Sequence, residues 1–536
     1  FENRPVLSYA VARLMGDNPM KFAVLPLRIS DFPIPAQEAA PDSGARPESA
    51  AGLDAIQAQG GFWVGLGDEV FICAANGKWE ALAGRLEIAG AADEVRKPDL
   101  HLVVQTGRGF QNAWPDAPVL ADKGRYLIVE FDRAAAQELG DSQSPRFVIR
   151  PLPENATIYA DRSRSGAARM VEPAVAAAVA GVTRAGFQAL VTHIAAYRTR
   201  LSTSADFRAA AEWARDRLQS LGLIAGTTGI TVKGDSSLNV IATKPGFGAG
   251  RGAVLVVGHL DSVNHEAGAA APAPGADDNG SGAAGVLALA TAMAPYSFTH
   301  DLGFILFGGE EQGLFGSAQY VASLSDTERA RIRAVLNMDM IGCVNSQPPT
   351  VMLEGAALSQ SMIDALAAAA EAHTTLEIQT SLNPFASDHV PFIDAGIPAV
   401  LTIEGSDSAN DAVHSARDRL ERLDMDYATQ ILCMNAGWLA AEAGIAAQPG
   451  LPAGLPNGLP DGLPVPPATS NCDCAGFGVP PADAAAVAQL NEVNGHYQAL
   501  FAQFARLHHE GRISPAERAE WQSALLAYGQ LDRGPR

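Results

Sequence analysis

From about residue 172 to residue 447, short apolar runs of β-forming residues alternate with segments of helical period. This alternation constrains the fold more than any other feature of the chain. The apolar runs are Leu238–Ala242, Ala253–Val257, Leu302–Phe307, Val335–Met338 and Ala399–Ile403. Helical spacing of apolar residues covers Phe187–Tyr197, Phe207–Leu221, Ala283–Ala294 and Ser359–Ala372. A short continuous apolar run reads as a strand buried on both faces, and strands alternating with helices assemble a sheet covered by helices. The expected fold class is therefore α/β, a three-layer sandwich with a mostly parallel central sheet.

The flanking regions read differently. With 536 residues the chain is too long for one ordinary domain. Residues 1–165 carry strand-like runs at Phe62–Val64, Leu102–Val104, Tyr126–Val129 and Phe147–Ile149, around a loop-like stretch at 31–55. They are expected to form a separate, mainly β, N-terminal domain. The polar, basic connection Arg162–Arg169 reads as an interdomain linker or as an exposed cleavage site, and the latter makes a propeptide-like role a hypothesis. Residues 172–447 form the expected catalytic domain. Residues 448–470 repeat Gly-Leu-Pro, and proline at that frequency forbids a regular helix and leaves a stiff linker. Residues 471–536 read as a helical hairpin, 481–510 and 515–531, with Ser514, Pro515 and Glu517 as a helix start.

Charge narrows the partners. The formal net charge is −21, which disfavours the phosphate backbone of nucleic acids. No run approaches the roughly 18 apolar residues that a membrane span needs. Five cysteines are too few for a disulfide framework. Cys472 and Cys474 are close enough for a local bridge in an oxidising compartment, or are two free thiols. The chain begins at Phe1 rather than Met, which fits a lost signal peptide, and the expected location is secreted or periplasmic. Oligomeric state is not legible.

The chemistry collects just beyond the strand ends. The run 253–257 leads into Gly258-His259-Leu260-Asp261-Ser262, the run 302–307 into Gly308-Gly309-Glu310-Glu311, and the run 335–338 into Asp339. The run 399–403 leads to the loop of His414, and Asp277-Asp278-Asn279 lies in a turn that enters a helix. In open α/β sheets, ligand crevices form outside the carboxyl ends of strands. Two imidazoles and several carboxylates suit a pair of divalent cations, with one carboxylate able to bridge them. Without cations, Asp278, Glu310, Glu311 and Asp339 in one crevice would repel one another. Asp261 is spaced to orient the His259 ring. Alone, a histidine after a strand is usually a loop residue, a Glu-Glu pair a solvated face, and Asp-Asp-Asn-Gly a turn. Their ordered occurrence after successive strands argues for one site.

Val257–Ser262, Pro274–Gly282, Gly309–Ser317, Asn337–Gly342, Ser387–His389 and His414–Asp418 resemble the motifs of the M28 family of co-catalytic zinc aminopeptidases, and the secreted bacterial leucyl aminopeptidases in particular. Tyr197–Ser204 resembles a segment near the start of their catalytic domain. The likeness covers roughly 185–440. It implies a zinc exopeptidase-like fold, two Zn²⁺ ions as cofactor and peptides as substrate. It also implies one zinc on His259 and Asp339, the other on Glu311 and His414, Asp278 bridging through a cis Asp278–Asn279 peptide, and Glu310 as general base for the attacking water.

Two departures stand out. Val413 and Pro384 occupy the positions where relatives carry a tyrosine near the scissile carbonyl. Met340 and Val413 match positions that line an apolar pocket in relatives, which implies a preference for hydrophobic N-terminal residues; plain core packing is the other reading of both. The competing functions are a single-zinc enzyme resembling glutaminyl cyclase, and a non-catalytic binding protein on a peptidase scaffold. Retention of every carboxylate and both histidines favours the hydrolase.

Overall fold

The computed structural model describes residues 20–25, 53, 56–58, 60–85, 93–141, 146–164, 171–269 and 271–446. The Gly-Leu-Pro linker, the C-terminal hairpin, Cys472, Cys474 and most of the basic connection at 162–169 lie outside the described residues.

Strands number β1 to β17 along the chain. The first nine are β1 (Met20–Leu25), β2 (Phe62–Leu66), β3 (Glu69–Ala75), β4 (Asp93–Val95), β5 (Leu100–Gln105), β6 (Val119–Lys123), β7 (Tyr126–Glu130), β8 (Phe147–Pro151) and β9 (Ala156–Arg162). The rest are β10 (Ile224–Val232), β11 (Asp235–Lys244), β12 (Ala253–His259), β13 (Asp301–Phe307), β14 (Ile332–Met338), β15 (Thr350–Gly355), β16 (Glu377–Ser381) and β17 (Ala399–Glu404). One 13-stranded sheet runs β10-β11-β13-β12-β14-β17-β15-β16-β9-β2-β3-β1-β4, and a second, four-stranded sheet runs β6-β7-β5-β8.

The large sheet is mixed rather than mostly parallel. β13, β12, β14 and β17 pair in parallel at its centre, but β10–β11, β11–β13 and β15–β17 are antiparallel. The reason is local for β10 and β11. The turn at Lys233-Gly234, both with positive φ, connects them directly, and a tight turn can only join antiparallel strands.

Alternation along the central strands explains the two cores. Val254 and Val256 of β12 join Phe304, Leu306 and Leu336 against helices Phe207-containing Ala205–Ser220, Gly280–Met293 and Met425–Glu442. Leu255 and Val257 face the other way, into a core with Ile305, Phe307, Val321 and Phe392. Successive side chains of a strand point to opposite faces, so a strand with helices on both sides must be apolar throughout. Helix starts follow the local sequence. Ser204, Thr183 and Asn279 each accept a backbone N–H two or three residues into the helix that follows.

Strands β1–β9 account for much of the described residues before 165, and β9, β2, β3, β1 and β4 extend the large sheet rather than standing apart from it. β9 pairs antiparallel with β16, and β2 pairs parallel with β9. A shared apolar core joins Tyr126, Ile158 and Tyr159 to Met340, Met352, Leu401 and Ile403. Among the described residues, no single helix is long and apolar enough to cross a membrane.

Candidate metal centre

His259, Glu310, Glu311 and Asp339 stand at or just beyond the ends of parallel strands, on the same edge of the sheet. His259 is the last residue of β12, Glu310 and Glu311 follow β13, and Asp339 follows β14. Asp278 precedes the helix Gly280–Met293, and the Asp278–Asn279 peptide is cis, as the family resemblance implied. His414 lies in the loop after β17 with φ 58°, and Met340 has φ 55°. Non-glycine residues in the left-handed region concentrate at sites where surrounding structure over-determines them.

The structure brings the predicted donors together. His259 Nε2 lies 3.4 Å from Asp278 Oδ1, 3.3 Å from Asp339 Oδ1 and 3.9 Å from Glu310 Oε2. His414 Nε2 lies 3.0 Å from Asp278 Oδ2 and 2.9 Å from Glu311 Oε2. The two oxygens of Asp278 thus face the two histidines, one each. His259 and Asp278 are buried, and Glu311 and Asp339 nearly so.

Electrostatics favour cations here. Burial pulls His259 and His414 toward the neutral form, but the facing carboxylates override it and hold both rings well above the usual imidazole range. Burial raises Glu310 far above the ordinary carboxylate range and Glu311 to about 7. Asp278 is held low against its burial by His414 and His259. Arg200, fully buried nearby, does not neutralise the cluster directly; it donates to the carbonyls of Leu260, Ile194, Pro274 and Gly275 and so ties the two loops together. Glu311 Oε1 is buried without a hydrogen-bond partner. Such an orphaned oxygen costs free energy unless something binds it. Nitrogen and oxygen donors separated by 2.9–3.4 Å also suit a tetrahedral ion with ligand distances of about 2.0–2.1 Å. The residues present therefore fit zinc.

A surrounding frame fixes these donors. Asp261 accepts the backbone N–H groups of both Glu310 and Glu311, each at 3.3 Å. Its carboxylate is 3.6 Å from His259 Nδ1, while its own carbonyl is nearer, at 3.2 Å. The sequence places the Asp261 carboxylate to orient the imidazole; in the structure the Asp261 carbonyl is the nearer acceptor, and the carboxylate aligns the Glu310-Glu311 backbone. Asp418 does the same for the other loop, accepting from Asp277 N and Asp278 N at 2.9 Å each. Ser387 Oγ donates to Asp339 Oδ2 at 2.7 Å and receives Asn337 Nδ2 at 2.7 Å. Asp277 and Glu404 approach Cys343 within the same buried group, but their oxygens already accept from Gly342 N, Asn410, Cys343 N and Asn345.

Sequence reasoning missed His265. Its ring packs edge-to-face on His414 with centroids 4.7 Å apart, and its backbone N–H donates to the His414 carbonyl at 2.9 Å. It offers a ring nitrogen within 4.8 Å of donors on Glu311 and His414. It lies in the loop after β12, beyond the Gly258–Ser262 run, and no spacing links it to His414. Met340 is buried in the apolar core shared with the N-terminal strands, and Val413 and Phe385 pack against that core. Val413 also lines a cavity of about 560 Å³ that opens at His414 and His265.

The model of Peptidase family M28 matches residues 239–438. Leupeptin-inactivating enzyme 1 of Streptomyces exfoliatus is 33% identical over 215 residues, 40% of this chain and 46% of its own length. A probable leucine aminopeptidase of Trichophyton verrucosum is 33% identical over 217 residues, 39% of this chain and 58% of its own. The chain spans about half the length of these curated relatives. The LapA aminopeptidase of Legionella pneumophila superposes with a TM-score of 0.47 at 18% identity, over 64% of this chain and 98% of its own.

Proposed function

We propose that this chain, whose residues 239–438 belong to peptidase family M28, is a metallo-aminopeptidase that removes N-terminal residues from peptides with two zinc ions as cofactor. The observation that carries this reading is the position of Asp278, with one carboxylate oxygen 3.4 Å from His259 and the other 3.0 Å from His414. One carboxylate shared between two imidazoles, with Asp339 beside the first and Glu311 beside the second, is what a paired-ion site needs.

His259, Asp339 and Asp278 would hold one ion, and Glu311, His414 and Asp278 the other. Zinc, when bound, supplies Lewis acidity that polarises a carbonyl and acidifies a water. Glu310 has Oε2 3.9 Å from His259 Nε2 and is mostly buried, which suits it to take a proton from the attacking water and return it to the leaving amine. Asp261 and Asp418 keep the two carboxylate-bearing loops in place. The apolar surface of Val413, with Phe385 and Met340 behind it, supports a preference for hydrophobic N-terminal side chains.

The test is direct. Purified chain should hold two zinc ions per molecule and release leucine from leucyl-p-nitroanilide. Full zinc content without release from any aminoacyl substrate would overturn the reading.

A further inference from the structure

His265 stands in the loop between β12 and the helix Gly280–Met293, and the paired-ion reading leaves it without a role. Its backbone N–H donates to the His414 carbonyl at 2.9 Å, which ties this loop to the one after β17. The two imidazoles then meet edge-to-face, with centroids 4.7 Å apart and planes at 79°. A ring nitrogen of His265 lies within 4.8 Å of donor atoms on both Glu311 and His414. Beyond His259 and His414, it is the only histidine among the described residues that groups with the site's donors.

The spacing suits two imidazoles on one ion. Zinc binds a histidine nitrogen at about 2.0–2.1 Å, and a tetrahedral angle then puts two ring centroids about 5 Å apart. Ring packing alone can give a similar distance, so the neighbouring carboxylate decides. Glu311 Oε2 is 2.9 Å from His414 Nε2, the Glu311 side chain is 2% exposed, and its Oε1 is buried without a hydrogen-bond partner. A packed ring does nothing for that oxygen. A cation on the His414 side of Asp278 satisfies it.

The donors divide unequally between the two halves of the cluster. Asp278 faces both halves. His259 and Asp339 belong to the first, with Glu310 Oε2 3.9 Å from His259 Nε2. Glu311 and His414 belong to the second, with His265 beside them. Each half thus has one group beyond its three predicted ligands, a carboxylate on the first and an imidazole on the second. His265 and His414 line the cavity of about 560 Å³, whereas His259, Asp278, Glu311 and Asp339 do not. His265 therefore stands on the solvent side of the second half. Zinc sites with four protein ligands are closed, while sites with three keep a position for water or substrate.

We propose that His265 is a fourth protein ligand of the ion held by Glu311, His414 and Asp278, so that this ion is closed by protein while the ion on His259, Asp339 and Asp278 keeps the open position beside Glu310. This rests on the two-zinc reading above and deepens it. It assigns a further metal ligand and makes the two ions unequal, one firmly retained and one more readily exchanged.

The experiment titrates the metal-free full chain with zinc against a chromophoric chelator, which reads two stepwise dissociation constants. His265→Ala and His265→Phe are titrated in the same way. Phenylalanine keeps a ring for the edge-to-face contact and removes the nitrogen, so it separates ligation from packing. The unsubstituted chain should bind two zinc ions with well-separated constants. Both variants should weaken the tighter step by at least the roughly 10–100-fold that loss of a ligand's own partner costs, and leave the weaker step unchanged. Metal-free wild type and variants should melt alike, which places the loss at the ion and not in the fold. Wild-type constants in His265→Phe, or equal weakening of both steps, would overturn the assignment while two bound zinc ions and release of leucine from leucyl-p-nitroanilide uphold the aminopeptidase reading. Fewer than two zinc ions on the unsubstituted chain would overturn both.

Discussion

Arg125 grips Glu354 with two parallel hydrogen bonds, Nε to Oε2 and Nη2 to Oε1, both 2.9 Å, across 229 residues of chain. Neither side chain reaches solvent appreciably. Breaking one half of a buried pair leaves the other charge uncompensated, at a cost of about 3–5 kcal/mol. Arg125→Met is expected to lower the unfolding free energy by that amount in guanidinium titration. The double variant Arg125→Met, Glu354→Gln should recover part of it. Equal stability of Arg125→Met and wild type would remove this pair from the contacts that hold the N-terminal unit in place.

The same pair sets an acid limb. Burial opposes ionisation of Glu354, but Arg125 and His389 hold its carboxyl down to about 2, below the ordinary value of 4.5. A depressed folded-state pKa contributes stability that is present above 4.5 and is lost as pH falls toward 2, on the order of 3 kcal/mol. Asp407 works in the opposite sense: burial outweighs Arg125 and raises it to about 6, so its contribution is present below the ordinary 3.8 and fades as pH rises through 6. The stability gap between wild type and Glu354→Gln should therefore shrink below pH 4.5, and the gap between wild type and Asp407→Asn should shrink between pH 4 and 7. Unfolding titrations at pH 3, 4.5, 6 and 7.5 measure both.

Glu310→Gln is expected to lower kcat by about 10²–10⁴ while zinc content stays near that of the wild type. Atomic absorption alongside steady-state kinetics separates the two effects. Loss of zinc in this variant would make Glu310 a ligand instead of a base.

Chelation should inactivate and destabilise together. Stripping the site leaves buried carboxylates facing one another, and ligand linkage at saturating metal is worth about 3–4 kcal/mol. Dialysis against 1,10-phenanthroline should abolish aminopeptidase activity and lower the melting temperature, and added zinc should restore both. Unchanged melting after complete zinc removal would contradict a structural coupling of the site.

Asp261→Asn keeps the shape but weakens the acceptor that aligns Glu310 N and Glu311 N. A loss of about 10–100-fold in metal affinity or kcat is expected, as for other partners of metal ligands. Zinc competition with a fluorescent chelator reads the affinity arm.

Four of the candidate residues, His259, Glu310, Glu311 and Asp339, were legible in the sequence because they follow strands, and strands announce themselves by apolar runs. His259, Glu310-Glu311 and Asp339 share one sheet edge for that reason alone. What the residues around them do was less legible. Asp261 and Asp418 act on backbone N–H groups of other loops, and no spacing rule links positions 261 and 310 or 418 and 278. His265 reaches His414 only through loop geometry. The expectation of a mostly parallel sheet came from the central strands, which are parallel; the outer strands are paired by short turns and by a contribution from β9, distant in sequence. Arg125 and Glu354 carry no motif at all, and their partnership exists only because the N-terminal strands lie against the catalytic ones.

The seam between β9 and β16 also bears on biosynthesis. Ser381 Oγ donates to the Ile158 carbonyl 223 residues earlier in the chain. A ribosome delivers β9 long before it delivers β16, so the growing chain carries an open strand edge until residue 381 has emerged. Open edges are templates for pairing with other chains. The edge of β9 that pairs with β16 therefore stays without that partner while some two hundred residues are added, and a chain stopped short of β16 would lack it.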